Sequence, residues 1–70
     1  MFDVKKSGRI IRDRRERKGI SQMKLAEMAG LSKNTVEKLE RGKGDPKHST
    51  VMNLALALEM NVGELNADEL

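Results

Sequence analysis

Apolar residues recur along this chain at helical spacing, and glycines or small polar residues cut the pattern into five pieces. A first helix is predicted from about Lys5 to Lys18, with Gly19 as its stop; Ile11 and the aliphatic stems of Arg14 and Arg15 share one face at i, i+3, i+4. Ser21 suits the N-cap of a second helix, Gln22 to Ala29, with Ile20 and Leu25 at the spacing of a hydrophobic staple. Leu25, Ala26 and Ala29 form its inward stripe, and Gly30 ends it. Leu31-Ser32 repeats the device before a third helix, Lys33 to Arg41, stopped by Gly42. Here Val36 and Leu39 point inward, while Lys33, Asn34, Glu37, Lys38 and Arg41 fall together on the opposite face. Beyond the loop Gly42 to Pro46, Ser49 or Thr50 is expected to cap a fourth helix from Val51 to about Met60, burying Val51, Leu54, Ala55 and Leu58. Asn61 and Glu64 are spaced as a capping-box variant for a short fifth helix through Leu65, and residues 66–70 are expected to fray.

Seventy residues allow a single domain, 1–70, with a modest core. Phe2 is the only aromatic residue, so that core must be aliphatic, and the fold class is all-α. There is no Cys, hence no disulfide or thiolate metal site. With no long apolar run and no leader-like N-terminus, the chain reads as a cytoplasmic protein without membrane attachment. Charge changes the picture most. Residues 1–50 hold all 14 Lys and Arg against 7 acids, a balance of +7, whereas residues 51–70 hold 4 acids and no base. The predicted first helix alone carries eight basic residues and two acidic ones. That asymmetry calls for a polyanionic partner, either nucleic acid or an anionic membrane surface. A membrane-surface helix needs bulky apolar residues opposite its charges, and the first helix offers mainly Ile10 and Ile11.

Two short helices joined by a turn of three or four residues with a Gly in it form the supersecondary unit that reads DNA. Ala26 is small enough for a close helix crossing, and Gly30 supplies the left-handed turn residue. Lys33 and Asn34 carry chemistry suited to base edges, since Lys donates to guanine O6 and N7 and Asn bonds adenine N6 and N7 in bidentate fashion. Glu37 is awkward near phosphates; it has either a cytosine N4 to accept from or a neighbour at i±4, Lys33 or Arg41, to pair with.

The segment Gly19 to Lys43 reads GISQMKLAEMAGLSKNTVEKLERGK. It resembles the phage repressor and Cro-type helix-turn-helix family, often called the XRE family, whose signature is GISQxxLAxxAGLSxxTVxxLERGK. The likeness runs from about Gly8 to Leu65 and implies a five-helix, lambda-repressor-like domain with a helix-turn-helix at about 21–41. It further implies that Gln22, Lys33, Asn34, Thr35 and Lys38 read bases. Candidates for phosphate contact are Ser21, Arg14, Arg15, Arg41, Lys43, Lys47, His48 and Ser49, and Arg15 is expected to pair with Glu40. Three positions depart from the family: Lys24 stands where Glu is common, Arg14 where an aliphatic residue is common, and Glu59 where Gly is common. The corner at Glu59, and with it the placement of the fifth helix, is therefore expected to be built differently.

The resulting expectation is a sequence-specific DNA-binding transcriptional regulator, a homodimeric repressor reading a near-palindromic operator on double-stranded DNA. An antitoxin or a restriction-modification controller would carry the same sequence features. The alternative from another class is a protein-interaction module on the same fold, working through the acidic, apolar stretch from Val51 to Leu70. The resemblance also implies that the region Met60 to Leu70 holds the dimer surface. One His, no Cys and no glycine-rich phosphate loop argue against an enzyme, and no cofactor, metal or small-molecule substrate is expected.

Overall fold

A computed structural model of the protein describes residues 3–65. Five helices follow one another: α1 (Val4–Arg17), α2 (Gln22–Ala29), α3 (Lys33–Glu40), α4 (His48–Ala57) and α5 (Val62–Leu65). The expected fraying of residues 66–70 and the last part of the expected dimer surface lie outside the described residues.

Each start has a local cause. Asp3 caps α1, its carboxylate accepting from the backbone N–H groups of Lys5 and Lys6 at 3.1 Å each. Ser21 caps α2 through Lys24 N–H at 3.0 Å, and Ser32 caps α3 through Thr35 N–H at 3.1 Å. Before α5, Glu64 N–H donates to Asn61 Oδ1 at 2.8 Å and Asn61 N–H donates back to Glu64 Oε1 at 3.4 Å, completing the box. The start of α4 differs from expectation. Ser49 and Thr50 lie inside the helix, and Lys47, in an extended conformation with no side-chain cap bond, precedes it. The exposed start of the helix can give its free N–H groups to water.

The stops share one mechanism. After each of α1, α2, α3 and α4, a residue with positive φ turns the chain while two backbone N–H groups return to the last turn. At α3 these are Gly42 N–H to the Leu39 carbonyl, 2.9 Å, and Lys43 N–H to the Lys38 carbonyl, 3.0 Å. At α4 the same pair is Glu59 N–H to Leu56 and Met60 N–H to Ala55, with Glu59 itself at φ 55°. The corner is thus built as the glycine corners are, with a glutamate in the left-handed region, and α4 ends at Ala57 rather than Met60.

Ile11, Leu25, Ala26, Val36, Leu39, Leu54, Leu58 and Leu65 form the centre of the core, all at most 3% exposed. α1 packs on α3, α2 on α3 and α4, and α5 closes against α4 and α1. At the α1–α3 crossing, a Cβ on Gly8 would lie 2.2 Å from the Leu39 carbonyl oxygen. Only glycine lets the two backbones approach so closely. Ser7 beside it is fully buried. Neither role is visible in the hydrophobic pattern. Of the methionines, Met23, Met28 and Met52 are exposed, as is Leu56. No helix among the described residues is long and apolar enough to cross a membrane.

Candidate nucleic-acid interface

The third helix has one buried stripe, Val36 and Leu39, which fixes it to the core and leaves its other sides free. Lys33, Asn34, Lys38 and Arg41 are all exposed, so nothing in the described chain covers the face expected to read bases. Thr35 is half-buried, and its hydroxyl lies 2.9 Å from that of Ser32, tying it to the helix cap. Of the two partners open to Glu37, the structure selects Lys33, at 3.8 Å across one turn. Among the described residues Lys38, Arg41, Lys43 and Lys47 have no carboxylate within ion-pair distance.

A groove of about 330 Å³ separates α3 from the loop that follows it, lined by Thr35, Lys38, Leu39, Gly44, Pro46 and Lys47 among others. Lys38 runs along one wall: a Cβ on Gly44 would touch its Cδ at 3.2 Å. Lys47 stands on the other wall, and His48 and Ser49 follow it, exposed, in the first turn of α4. The loop therefore places its cations beside the reading helix.

The orientation of α3 relative to α1 and α2 depends on one buried carboxylate. Glu40 accepts from Arg15 Nε at 2.6 Å, from Arg15 Nη2 at 3.1 Å and from Gln22 Nε2 at 3.1 Å. Arg15 also donates through Nη1 to the Ile20 carbonyl, 2.9 Å, so it pins the turn that precedes α2. The Arg15 and Glu40 side chains are only 13% and 4% exposed. Hydrogen bonding to Glu40 raises the Arg15 pKa against the opposing effect of burial, so the guanidinium stays charged. One network thus joins α1, the start of α2 and the end of α3. It commits much of Arg15 and one amide donor of Gln22 to structure, while Ser21 stays exposed at the same corner.

Arg14 stands apart from this set. Its guanidinium reaches Glu64 on α5 at 3.5 Å, and it lines an open hollow of about 500 Å³ with Arg9, Ile10, Asp13 and Met60. A little further along, Lys18 pairs with Glu59. The hydrogen bond from Lys18, reinforced by its charge, holds the Glu59 carboxyl below its ordinary value. Two of the departures from the family signature therefore meet partners at the α1–α5 side, and that side is not the one that carries Lys33, Asn34 and Lys38. Among the described residues no group of His, Asp and Glu is arranged to hold a metal ion.

A family model described as "Helix-turn-helix" matches residues 11–65, most of the chain. The chain belongs to the phage repressor and Cro-type helix-turn-helix family. It is 29% identical over all 70 residues to the ImmF control region 10 kDa protein of Bacillus phage phi105, covering 78% of that protein. Among solved structures it is similar to the P22 c2 repressor protein in complex with a synthetic operator, with 30% identity, a TM-score of 0.81 and coverage of 84% of this chain and 89% of that one. It is also similar to the restriction-modification controller protein C.AhdI of Aeromonas hydrophila, at 36% identity and a TM-score of 0.84, covering 90% of this chain and 91% of that one. The protein is a DNA-binding transcriptional regulator on an all-helical, five-helix fold.

Proposed function

We propose that the chain acts as a homodimeric, non-enzymatic repressor of the cytoplasm, a single helix-turn-helix unit whose α3 lies in the major groove of a near-palindromic operator. The reading rests on one observation: Lys33, Asn34 and Lys38 stand exposed on a helix whose other side is buried and whose end is locked by Arg15, Glu40 and Gln22. Lys33, Asn34 and Lys38 reach base edges, with Gln22 and Thr35 at the margins of that set. Ser21, Arg41, Lys43, Lys47, His48 and Ser49 contact phosphates on either side, with Arg15 serving chiefly to hold the frame. Arg14 is left out, because its partner is Glu64. Two recognition helices about 34 Å apart enter successive major grooves, and occupancy blocks transcription. The similarity to an operator-bound P22 c2 repressor supports this reading.

The test is titration of the palindrome upstream of the protein's own gene against a scrambled duplex, at two salt concentrations. Affinity for the palindrome falls steeply with salt. Lys33→Ala with Asn34→Ala removes most of the preference over scrambled DNA, at about 1–3 kcal/mol for each side chain that no longer reaches a base edge. Equal binding of wild type to both duplexes would overturn the proposal. The similarity to C.AhdI supports a second reading, control of a restriction-modification operon, and a methyltransferase gene alongside decides between the two.

A further inference from the structure

The first turn of α1 carries a cation that the helix-turn-helix itself does not account for. Lys5 lies against Gly42, the residue that ends α3: a Cβ there would meet Lys5 Cα and Cγ at 3.2 Å each. Gly8, one turn on, faces the Leu39 and Glu40 carbonyls and the Gly42 N–H. The start of α1 is therefore seated on the end of α3, and the stem of Lys5 passes directly over the bend between Arg41 and Lys43. Lys5, Arg41 and Lys43 are exposed, and none has an ion-pair partner among the described residues. Most other cations of α1 and its end are engaged: Arg12 with Glu16, Arg14 with Glu64, Arg15 with Glu40, Arg17 with Asp13 and Lys18 with Glu59.

We propose that Lys5 is a further phosphate-binding residue, extending the DNA-binding edge from Arg41 and Lys43 onto the first turn of α1 so that it grips the phosphodiester backbone flanking the half-site. The inference rests on the DNA-binding reading above. The helix terminus itself is not the binding group, since the Asp3 carboxylate already occupies the N–H groups of Lys5 and Lys6. The ammonium of Lys5 is. Lys6 is the matched comparison. It has the same side chain and is also exposed, but a step of about 100° per residue turns it roughly 200° from Gly8, away from α3.

The experiment measures operator affinity of the full chain between about 50 and about 200 mM salt for wild type, Lys5→Gln, Lys6→Gln and Lys5→Arg. Each phosphate-neutralising cation removed flattens the plot of log affinity against log salt by about 0.9, and the homodimer loses two, so over that range the affinity of Lys5→Gln falls by about 12-fold less than that of wild type. Its preference for operator over scrambled duplex is unchanged. Lys6→Gln keeps the wild-type slope, and Lys5→Arg restores it. Equal flattening by Lys5→Gln and Lys6→Gln would mean a diffuse field and overturn the proposal, as would no flattening by Lys5→Gln. Both slopes are also readable on scrambled DNA, so a wild type that ignores sequence sinks the repressor reading without obscuring this one.

Discussion

α1 meets the rest of the molecule along two seams, and each joins a cation of α1 or its end to a glutamate. On the α3 side, Arg15 grips Glu40 through two bonds, both groups almost out of water, with Gln22 and the Ile20 carbonyl completing the set. On the α5 side, Arg14 reaches Glu64 at 3.5 Å, and Lys18 meets a Glu59 that is wide open to solvent. The chemistry is the same, yet the consequences differ. A buried carboxylate that loses its cation is left as an uncompensated charge, whereas an exposed one falls back on water. The first seam therefore fixes the angle of the reading helix, and the second only trims the far end of the bundle.

Breaking the inner seam has the largest effect. Arg15→Ala is expected to cost about 3–5 kcal/mol, because Glu40 stays buried with only Gln22 to satisfy it. A urea melt reads that destabilisation. Replacing both partners, Arg15→Met with Glu40→Leu, recovers most of the stability but not operator affinity, since stability and orientation are then supplied by different groups. If the double variant bound the operator as wild type does, the network would be a stability device alone.

Gly8→Ala comes next. The new methyl would sit 2.2 Å from the Leu39 carbonyl oxygen, and a backbone atom cannot swing aside. α1 must lift from α3, at about 2–3 kcal/mol by the measure of overpacked cores. An unchanged melting midpoint would show that the crossing has slack.

Removing the cap of the reading helix is milder. Ser32→Ala deletes the acceptor for Thr35 N–H and the neighbour of its hydroxyl, costing about 1 kcal/mol. Binding suffers with it if Thr35 is held in place for DNA. Hydrogen exchange at Thr35, before and after the substitution, checks the local loosening.

The outer seam gives the smallest effect, with a sign set by pH. The folded-state pKa of Glu59 is lowered, so its contribution is present above about pH 4.5 and disappears as pH falls through the lowered folded value. Glu59→Gln is therefore slightly less stable than wild type at pH 7, and the two converge in acid or in high salt. A gap that persists in molar salt would make this seam more than a surface pair.

The five helices, three of their caps and the turn between α2 and α3 were all legible in the order of residues. Each is a local matter: Ser21, Ser32 and the Asn61–Glu64 box bond within their own first turn, and the apolar spacing of Leu25, Ala26, Val36 and Leu39 is a property of one helix at a time. The exposed face of α3 is readable for the same reason, as the polar remainder of that spacing. The start of α4 is not, because Ser49 and Thr50 are good caps in isolation, whereas the extended chain after Pro46 turns into the helix sooner, at His48. Apart from Arg15 with Glu40, a pair the family resemblance implied, which charges meet is settled by how the helices pack. Arg14 and Arg15 are neighbours on one helix, yet one faces α5 and the other α3; Glu59 bends a corner that glycine would bend and takes Lys18 as partner; Gly8 matters only because another backbone arrives beside it. Pairings across more than twenty residues depend on how helices cross, and no spacing along the chain encodes that angle.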